Sequence, residues 1–136
     1  DGGKNLLAER LRRDPRVVVL EGVNFRNAPS DLLPEQVELA VADCSFISLR
    51  PILPRIAAFL APGGRILALV KPQFELDRSR VGKGVVRSPR LQEEAICSVA
   101  RFAELELGLT DLGSVPSGIP GPKGNQEHFL LLGGRK

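Results

Sequence analysis

Short apolar runs bounded by turn residues recur along the chain and predict β-strands. The clearest run spans residues 66–70, between Pro62-Gly63-Gly64 on one side and Pro72 on the other. An apolar run of this length between turn signals is typical of a strand that is buried on both faces. The same pattern predicts strands at 17–20, 38–43 and 128–132, with a weaker strand at 109–116.

Segments with apolar residues at helical spacing lie between the predicted strands. The longest predicted helix spans 89–107, with Ser88 as its N-cap and Gly108 just after its end. Shorter helices are predicted at 4–13 and 49–60, because their leucine and isoleucine residues fall on one face.

The alternation of strands with helices predicts an α/β fold. Strands that are joined by a helix are usually parallel, and the tight connection before the last strand predicts that this strand runs antiparallel. We therefore expect one domain at 1–136 with a mostly parallel sheet and a single antiparallel strand. The polar, glycine-punctuated segment 75–88 predicts a mobile loop with few apolar anchors.

Composition excludes several classes of protein. Hydrophobic residues make up 43% of the chain, which excludes a disordered protein, and no apolar run is long enough for a membrane span. The net charge of +3 permits an anionic partner without requiring one. A single histidine leaves little for a metal site, so no metal is expected. Cys44 and Cys97 fall in apolar patterns and predict buried free thiols, which favours a cytoplasmic location.

Charged residues stand at the ends of three predicted strands. Asp43 and Lys71 end successive strands, and the carboxyl ends of parallel strands lie at one edge of a sheet. Because neighbouring strands are about 4.8 Å apart, the two side chains can meet. Glu127 begins the last strand, which starts at the same edge if it is antiparallel. A lysine between two acids suits proton transfer, although each residue alone is more often a solvated strand end.

The chain resembles the TlyA family of bacterial proteins, which have an FtsJ-like methyltransferase domain and often carry the name haemolysin. Two motifs make the resemblance specific, Ala42-Asp43-Cys44-Ser45-Phe46-Ile47-Ser48 and Lys71-Pro72-Gln73-Phe74-Glu75. The segments that resemble the family are 14–21, 41–49, 69–75, 81–84 and 120–127.

The resemblance implies a Rossmann-like class I methyltransferase sheet with strand order 3-2-1-4-5-7-6. This chain would be the carboxyl-terminal part of that domain, without its first two strands, its glycine-rich cofactor loop or the family's S4-like domain. The 17–20 strand is then expected beside the 38–43 strand, unless a homodimer fills the gap along the exposed sheet edge. We expect the chain by itself to bind the cofactor poorly and to be inactive.

The function implied by the resemblance is S-adenosylmethionine-dependent ribose 2′-O-methylation of ribosomal RNA. Lys71 would promote deprotonation of the 2′-hydroxyl, while Asp43 and Glu127 would orient the lysine and the hydroxyl. Asp43 would also contact the cofactor, together with Asp1 near its ribose and Asn24 near its adenine. An Asx-turn is the alternative role for Asn24.

The partners implied are ribosomal RNA and no membrane. The residues that would contact RNA phosphates are Arg78, Arg80, Lys83 and Arg87, for which a solvated loop is the alternative. Two other functions stay open at this point. One is a membrane-active haemolysin, which no cationic amphipathic helix supports. The other is a non-catalytic binding module that keeps the fold.

Overall fold

The computed structural model describes residues 2–135 as a four-stranded sheet with one long helix packed on one face. The strands are β1 (Val37–Ala42), β2 (Leu60–Val70), β3 (Thr110–Pro116) and β4 (His128–Gly133). The α-helices are α1 (Glu9–Arg12), α2 (Leu53–Phe59), α3 (Pro72–Glu75), α4 (Arg78–Val81) and α5 (Pro89–Leu107). Short 3₁₀ turns lie at Phe25–Asn27 and Pro122–Gly124.

The sheet is mixed, with the strand order β1-β2-β4-β3. β1 and β2 are parallel, and β4 runs antiparallel to both of its neighbours, β2 and β3. The predicted α/β class and the antiparallel last strand are confirmed. The sheet has fewer parallel pairs than expected, because β4 lies between β2 and β3.

The core lies between the sheet and α5, as the apolar patterns require. Alternate residues of β2 and β4 point at the helix and are fully buried there: Ile66, Ala68, Val70, Leu130 and Leu132. The predicted helix at 89–107 is confirmed with both of its ends. The Ser88 hydroxyl accepts a hydrogen bond from the Leu91 N–H, and Gly108 adopts the left-handed conformation with φ of 66°.

The opposite face of the sheet is apolar and largely uncovered by the described residues. Leu67 and Leu69 of β2 are only half-buried there. On the neighbouring edge strand β1, Leu39 is 60% exposed and Val41 is 72% exposed. β1 therefore presents both an unpaired backbone edge and apolar side chains.

The expectations for the first 20 residues are wrong in the structure. Residues 17–20 form no strand, and Val18 is 80% exposed. The expected helix at 4–13 is reduced to the single turn Glu9–Arg12, which buries no residue. A short apolar run becomes a strand only where a sheet edge pairs with it, and a short helix is marginal without a surface to pack on.

Two boundaries and one loop also differ from expectation. The helix expected at 49–60 begins only at Leu53, with Pro54 in its first turn, and β2 already begins at Leu60. The 75–88 segment, expected to be a loop with few apolar anchors, contains the short helix α4, and its buried apolar residues are Val81 and Val86.

The two cysteines are free thiols, but neither is buried. Cys97 is exposed and Cys44 is half-buried. Cys97 lies on the outer face of α5, where helical spacing alone did not separate a surface position from a core position. Across residues 2–135, no helix combines the length and the apolar character needed to cross a membrane.

Candidate active site

Asp43 and Lys71 meet at the carboxyl edge of the sheet. Each residue directly follows its strand, and β1 and β2 are hydrogen-bonded parallel neighbours. The Lys71 Nζ lies 2.7 Å from the Asp43 Oδ1. Lys71 is 8% exposed, whereas the Asp43 side chain is 69% exposed. The predicted meeting of these two side chains is therefore confirmed, with the lysine buried and the acid open to solvent.

Ser45 completes the surroundings of the buried ammonium. Its hydroxyl oxygen accepts a hydrogen bond of 3.0 Å from the Lys71 Nζ. A buried ammonium is costly unless its protons are paired, so one carboxylate and one hydroxyl stabilise it here. No role for Ser45 is predicted from the sequence, although it lies only two residues after Asp43.

Glu127 reaches the same edge because β4 is antiparallel. The residue directly precedes β4 and is 6% exposed. Its Oε2 accepts a hydrogen bond of 3.2 Å from the Nε2 of Gln73, which lies two residues after Lys71. Gly121 leaves room for the carboxylate, since a Cβ at that position would overlap the Glu127 Oε2.

Asp43 and Glu127 open onto one cleft with a volume of about 410 Å³. Its walls are mainly apolar and belong to the uncovered face of the sheet and to the loop before β4. The apolar lining residues are Val41, Ala42, Leu67, Leu69, Ile119, Pro120 and Phe129. The cleft thus combines two carboxylates with an apolar surface, next to a buried lysine.

The loops that follow β1 and β2 are joined through Glu75. Its carboxylate accepts hydrogen bonds from the Leu49 N–H at 2.8 Å and from the Ser48 hydroxyl at 2.5 Å. The rings of Phe46 and Phe74 pack beside this link, with their centroids 5.4 Å apart. Burial raises the pKa of Glu75 above its usual range, although both hydrogen bonds oppose that shift. These contacts fix Lys71 relative to Asp43.

Asn125 anchors the basic segment 82–87 beside Glu127. The side chain is 2% exposed, and its Oδ1 accepts a 2.9 Å hydrogen bond from the Val86 N–H. Its Nδ2 donates to the carbonyls of Gly84 and Pro122, both at 2.9 Å. A short polar loop is therefore held in place by a fully paired buried amide.

Of the remaining predicted site residues, those that the structure describes do not line the cleft. Asn24 is not among the residues that line it, and its Oδ1 accepts from the Arg26 N–H in an Asx-turn, the alternative left open by the sequence. Asp1 lies outside the described residues. Among the predicted RNA contacts, Arg80 is paired with Glu94, while the other three are exposed: Arg78, Lys83 and Arg87.

Comparison with a family model shows which family the chain belongs to. The model of the FtsJ-like methyltransferase family matches residues 1–134. The chain belongs to the FtsJ-like methyltransferase family. The relationship predicted from the two sequence motifs is confirmed, and the motifs that carried it hold the Lys71–Asp43 pair in the structure.

Individual FtsJ-like relatives are about twice as long as this chain. The 16S/23S rRNA (cytidine-2′-O)-methyltransferase TlyA of Mycobacterium tuberculosis is 46% identical over 133 residues, which cover 97% of this chain and 49% of TlyA. Hemolysin A of Brachyspira hyodysenteriae is 33% identical over 135 residues, which cover 96% of this chain and 56% of Hemolysin A. A hemolysin-named structure from Streptococcus thermophilus has a TM-score of 0.93 at 41% identity, covering 100% of this chain and 50% of that one.

The Glu75 link predicts a pH-dependent change in stability. Because the pKa of Glu75 is raised on folding, its contribution to stability is largest in acid and falls as the pH rises from about 4.5 through the folded pKa. A glutamine keeps an acceptor for Leu49 and removes the buried charge. In urea unfolding curves, the free energy of unfolding of Glu75→Gln should therefore increase relative to that of the wild type as the pH rises from about 4 to 7. Glu106→Gln on the exposed face of α5 controls for net charge, and a pH-independent difference would contradict the prediction.

The Asn125 anchor predicts a local loss of structure when the amide is removed. Asn125→Ala leaves the buried Val86 N–H and the Gly84 carbonyl without their side-chain partner, which should cost about 2 kcal/mol or more of unfolding free energy. Trypsin should also cut faster at Lys83 and Arg87. The exposed substitution Asn27→Ala is the control. Unchanged stability and unchanged cleavage in the Asn125 variant would show that the anchor is dispensable.

Proposed function

We propose that this chain carries the catalytic groups of an S-adenosylmethionine-dependent ribosomal RNA ribose 2′-O-methyltransferase. The observation that supports this most directly is the buried Lys71 paired with Asp43, with Glu127 on the same cleft. Family membership adds the reaction class, and the TlyA relative is named for methylation of the cytidine 2′-oxygen.

The proposed chemistry is proton transfer and positioning. S-adenosylmethionine, when bound, supplies an electrophilic methyl group. In this step the neutral amine of Lys71, left after its ammonium gives one proton to solvent, takes the proton of the ribose 2′-hydroxyl, and Asp43 and Ser45 hold the ammonium that re-forms. Glu127 accepts a hydrogen bond from the substrate and so fixes the direction of the hydroxyl oxygen. No covalent intermediate with the protein is required.

The residues of the cleft fit part of the cofactor. The exposed carboxylate of Asp43 suits a cationic group, and the apolar walls suit the uncharged parts of the molecule. Asn24 adds nothing to this set, because its amide oxygen is already used in its own turn. Asp43 is thus the residue of this chain that we propose to hold the cofactor.

The sheet topology supports a partial methyltransferase domain. The observed order β1-β2-β4-β3 corresponds to strands 4-5-7-6 of the order expected from the resemblance. In that scheme the open edge of β1 is where strand 1 would pair. We propose that the exposed edge and the apolar face beside it are covered in the assembled protein.

The proposed RNA contacts are exposed cations of residues 78–87, a stretch that includes the basic segment 82–87. Arg78, Lys83 and Arg87 remain available for phosphates, whereas Arg80 would first have to leave Glu94. The anchoring by Asn125 places this segment beside the loop that carries Glu127. We propose ribosomal RNA as the partner and the cytoplasm as the location.

The catalytic proposal is tested by replacing Lys71. In the full-length protein that contains this chain, Lys71→Met should lower methyl transfer to ribosomal RNA by roughly 10²–10⁴-fold, because the group that takes the proton is lost. Cofactor affinity, measured by calorimetry, should stay within a few-fold. Lys4→Met is the matched control at an exposed position. A Lys71 variant that keeps most of its turnover would reject the proposal.

The uncovered edge predicts self-association of the isolated chain. Pairing of β1 with a second copy would cover Leu39 and Val41, which are exposed. Light scattering of the 136-residue chain should therefore give a dimer or larger species. Val41→Lys should shift it toward the monomer, whereas Leu105→Lys, on the exposed face of α5, should not. A monomeric wild-type chain would contradict this expectation.

A further inference from the structure

Gln73 makes a contact that the proposed chemistry does not yet use. It lies on α3, two residues after Lys71, and its Nε2 donates a 3.2 Å hydrogen bond to the Oε2 of Glu127. The two residues are 54 positions apart in sequence, so the contact forms only in the folded protein. Gln73 thereby connects the end of the lysine strand to the second acid of the cleft.

The other end of the Gln73 amide is buried without a partner. Its Oε1 is inaccessible to solvent and accepts no hydrogen bond from the described residues. Rotating the amide by half a turn would not help, because the oxygen would then face the carboxylate oxygen of Glu127. Burying an unpaired acceptor is costly, so this orientation is explained by the donor that it supplies to Glu127.

Glu127 depends on this donor because its surroundings leave it few others. It is 6% exposed, and the Gln73 amide gives the carboxylate its one side-chain hydrogen bond among the described residues. A carboxylate that receives a hydrogen bond from a fixed amide is held in one rotation. A fixed rotation is needed if Glu127 is to accept a hydrogen bond from a ribose hydroxyl.

We propose that Gln73 is a positioning residue for Glu127. Its amide fixes the carboxylate toward the cleft, and it acts on the substrate only through that carboxylate. The proposal rests on the proposed function, since it assigns Glu127 to the orientation of the ribose hydroxyl. It adds a fourth side chain to the set of Asp43, Lys71 and Glu127.

Several charged groups lie around Glu127 and must be considered when a charge is introduced at position 73. Asp43 lines the same cleft from the end of β1, and Lys71 lies at the end of β2. His128 follows Glu127 in the chain, and burial lowers the pKa of its imidazole, an effect that the nearby Glu93 of α5 opposes. A new charge at position 73 acts first on Glu127, which is the group in direct contact with the Gln73 amide.

The decisive variant is Gln73→Glu, which preserves shape and places a second carboxylate against Glu127. Two carboxylates about 3 Å apart do not both ionise readily. The acid limb of the kcat–pH profile of the full-length protein should therefore move upward by about one pH unit or more. The KM for the cofactor should hardly change. Gln36→Glu adds the same charge at an exposed position outside the cleft and should leave the profile unchanged.

A second variant and a stability measurement keep the inference testable if Gln73→Glu is inactive. Gln73→Leu removes the donor and the unpaired acceptor together, and should lower kcat roughly tenfold or more while the protein stays folded. Independently of activity, Gln73→Glu should destabilise the fold at neutral pH, and Glu127→Gln in the same molecule should relieve much of that effect.

The outcomes separate the inference from the function on which it rests. A wild-type protein that transfers no methyl group to ribosomal RNA would reject the proposed function, and the stability cycle would still test the contact. A wild-type protein that is active, with an unshifted profile in Gln73→Glu and full kcat in Gln73→Leu, would reject the role of Gln73 alone. Destabilisation that Glu127→Gln does not relieve would also overturn it.

Discussion

The site depends on the electrostatic compensation of one buried lysine. Lys71 is 8% exposed, and an ammonium at that depth needs a carboxylate or hydroxyl within hydrogen-bond distance. Asp43 and Ser45 meet this need only because β1 pairs with β2 in parallel, with Ala42 opposite Ala68. A slip of one residue would turn the side chains of β1 to the opposite face. The register of two strands therefore decides whether the lysine is tolerated.

The short helix α3 fixes the loops around that lysine through three consecutive residues. Gln73 contacts Glu127 at the start of β4, Phe74 packs on Phe46, and Glu75 accepts hydrogen bonds from Ser48 and Leu49. A four-residue helix has little stability of its own, so these tertiary contacts must hold it. The loops after β1, β2 and before β4 consequently form one connected unit around the cleft, in which a change at one side chain affects the others.

Prediction from sequence succeeded where local signals and burial agreed. The helix α5 was found with both ends because Ser88 and Gly108 are strong capping residues and its apolar face packs on the sheet. It failed at 17–20, where the same kind of apolar run finds no strand to pair with in the described structure. The 75–88 segment was expected to be mobile because its composition is polar, but Gly84 and Val86 within it are hydrogen-bonded to Asn125, which lies far along the chain.

The sequence by itself determined the family, the α/β class and the three charged residues at strand ends, since these follow from local patterns and from two specific motifs. Only the tertiary structure decided which polar side chains meet. Ser45, Gln73 and Glu75 lie in the two motifs, but neither the motifs nor the surroundings of Asn125 indicate their partners, because a hydrogen bond across 26 to 54 residues depends on the packing of the whole sheet. The position of Glu127 likewise required the antiparallel insertion of β4 between β2 and β3, which brings its first residues to the edge where β1 and β2 end.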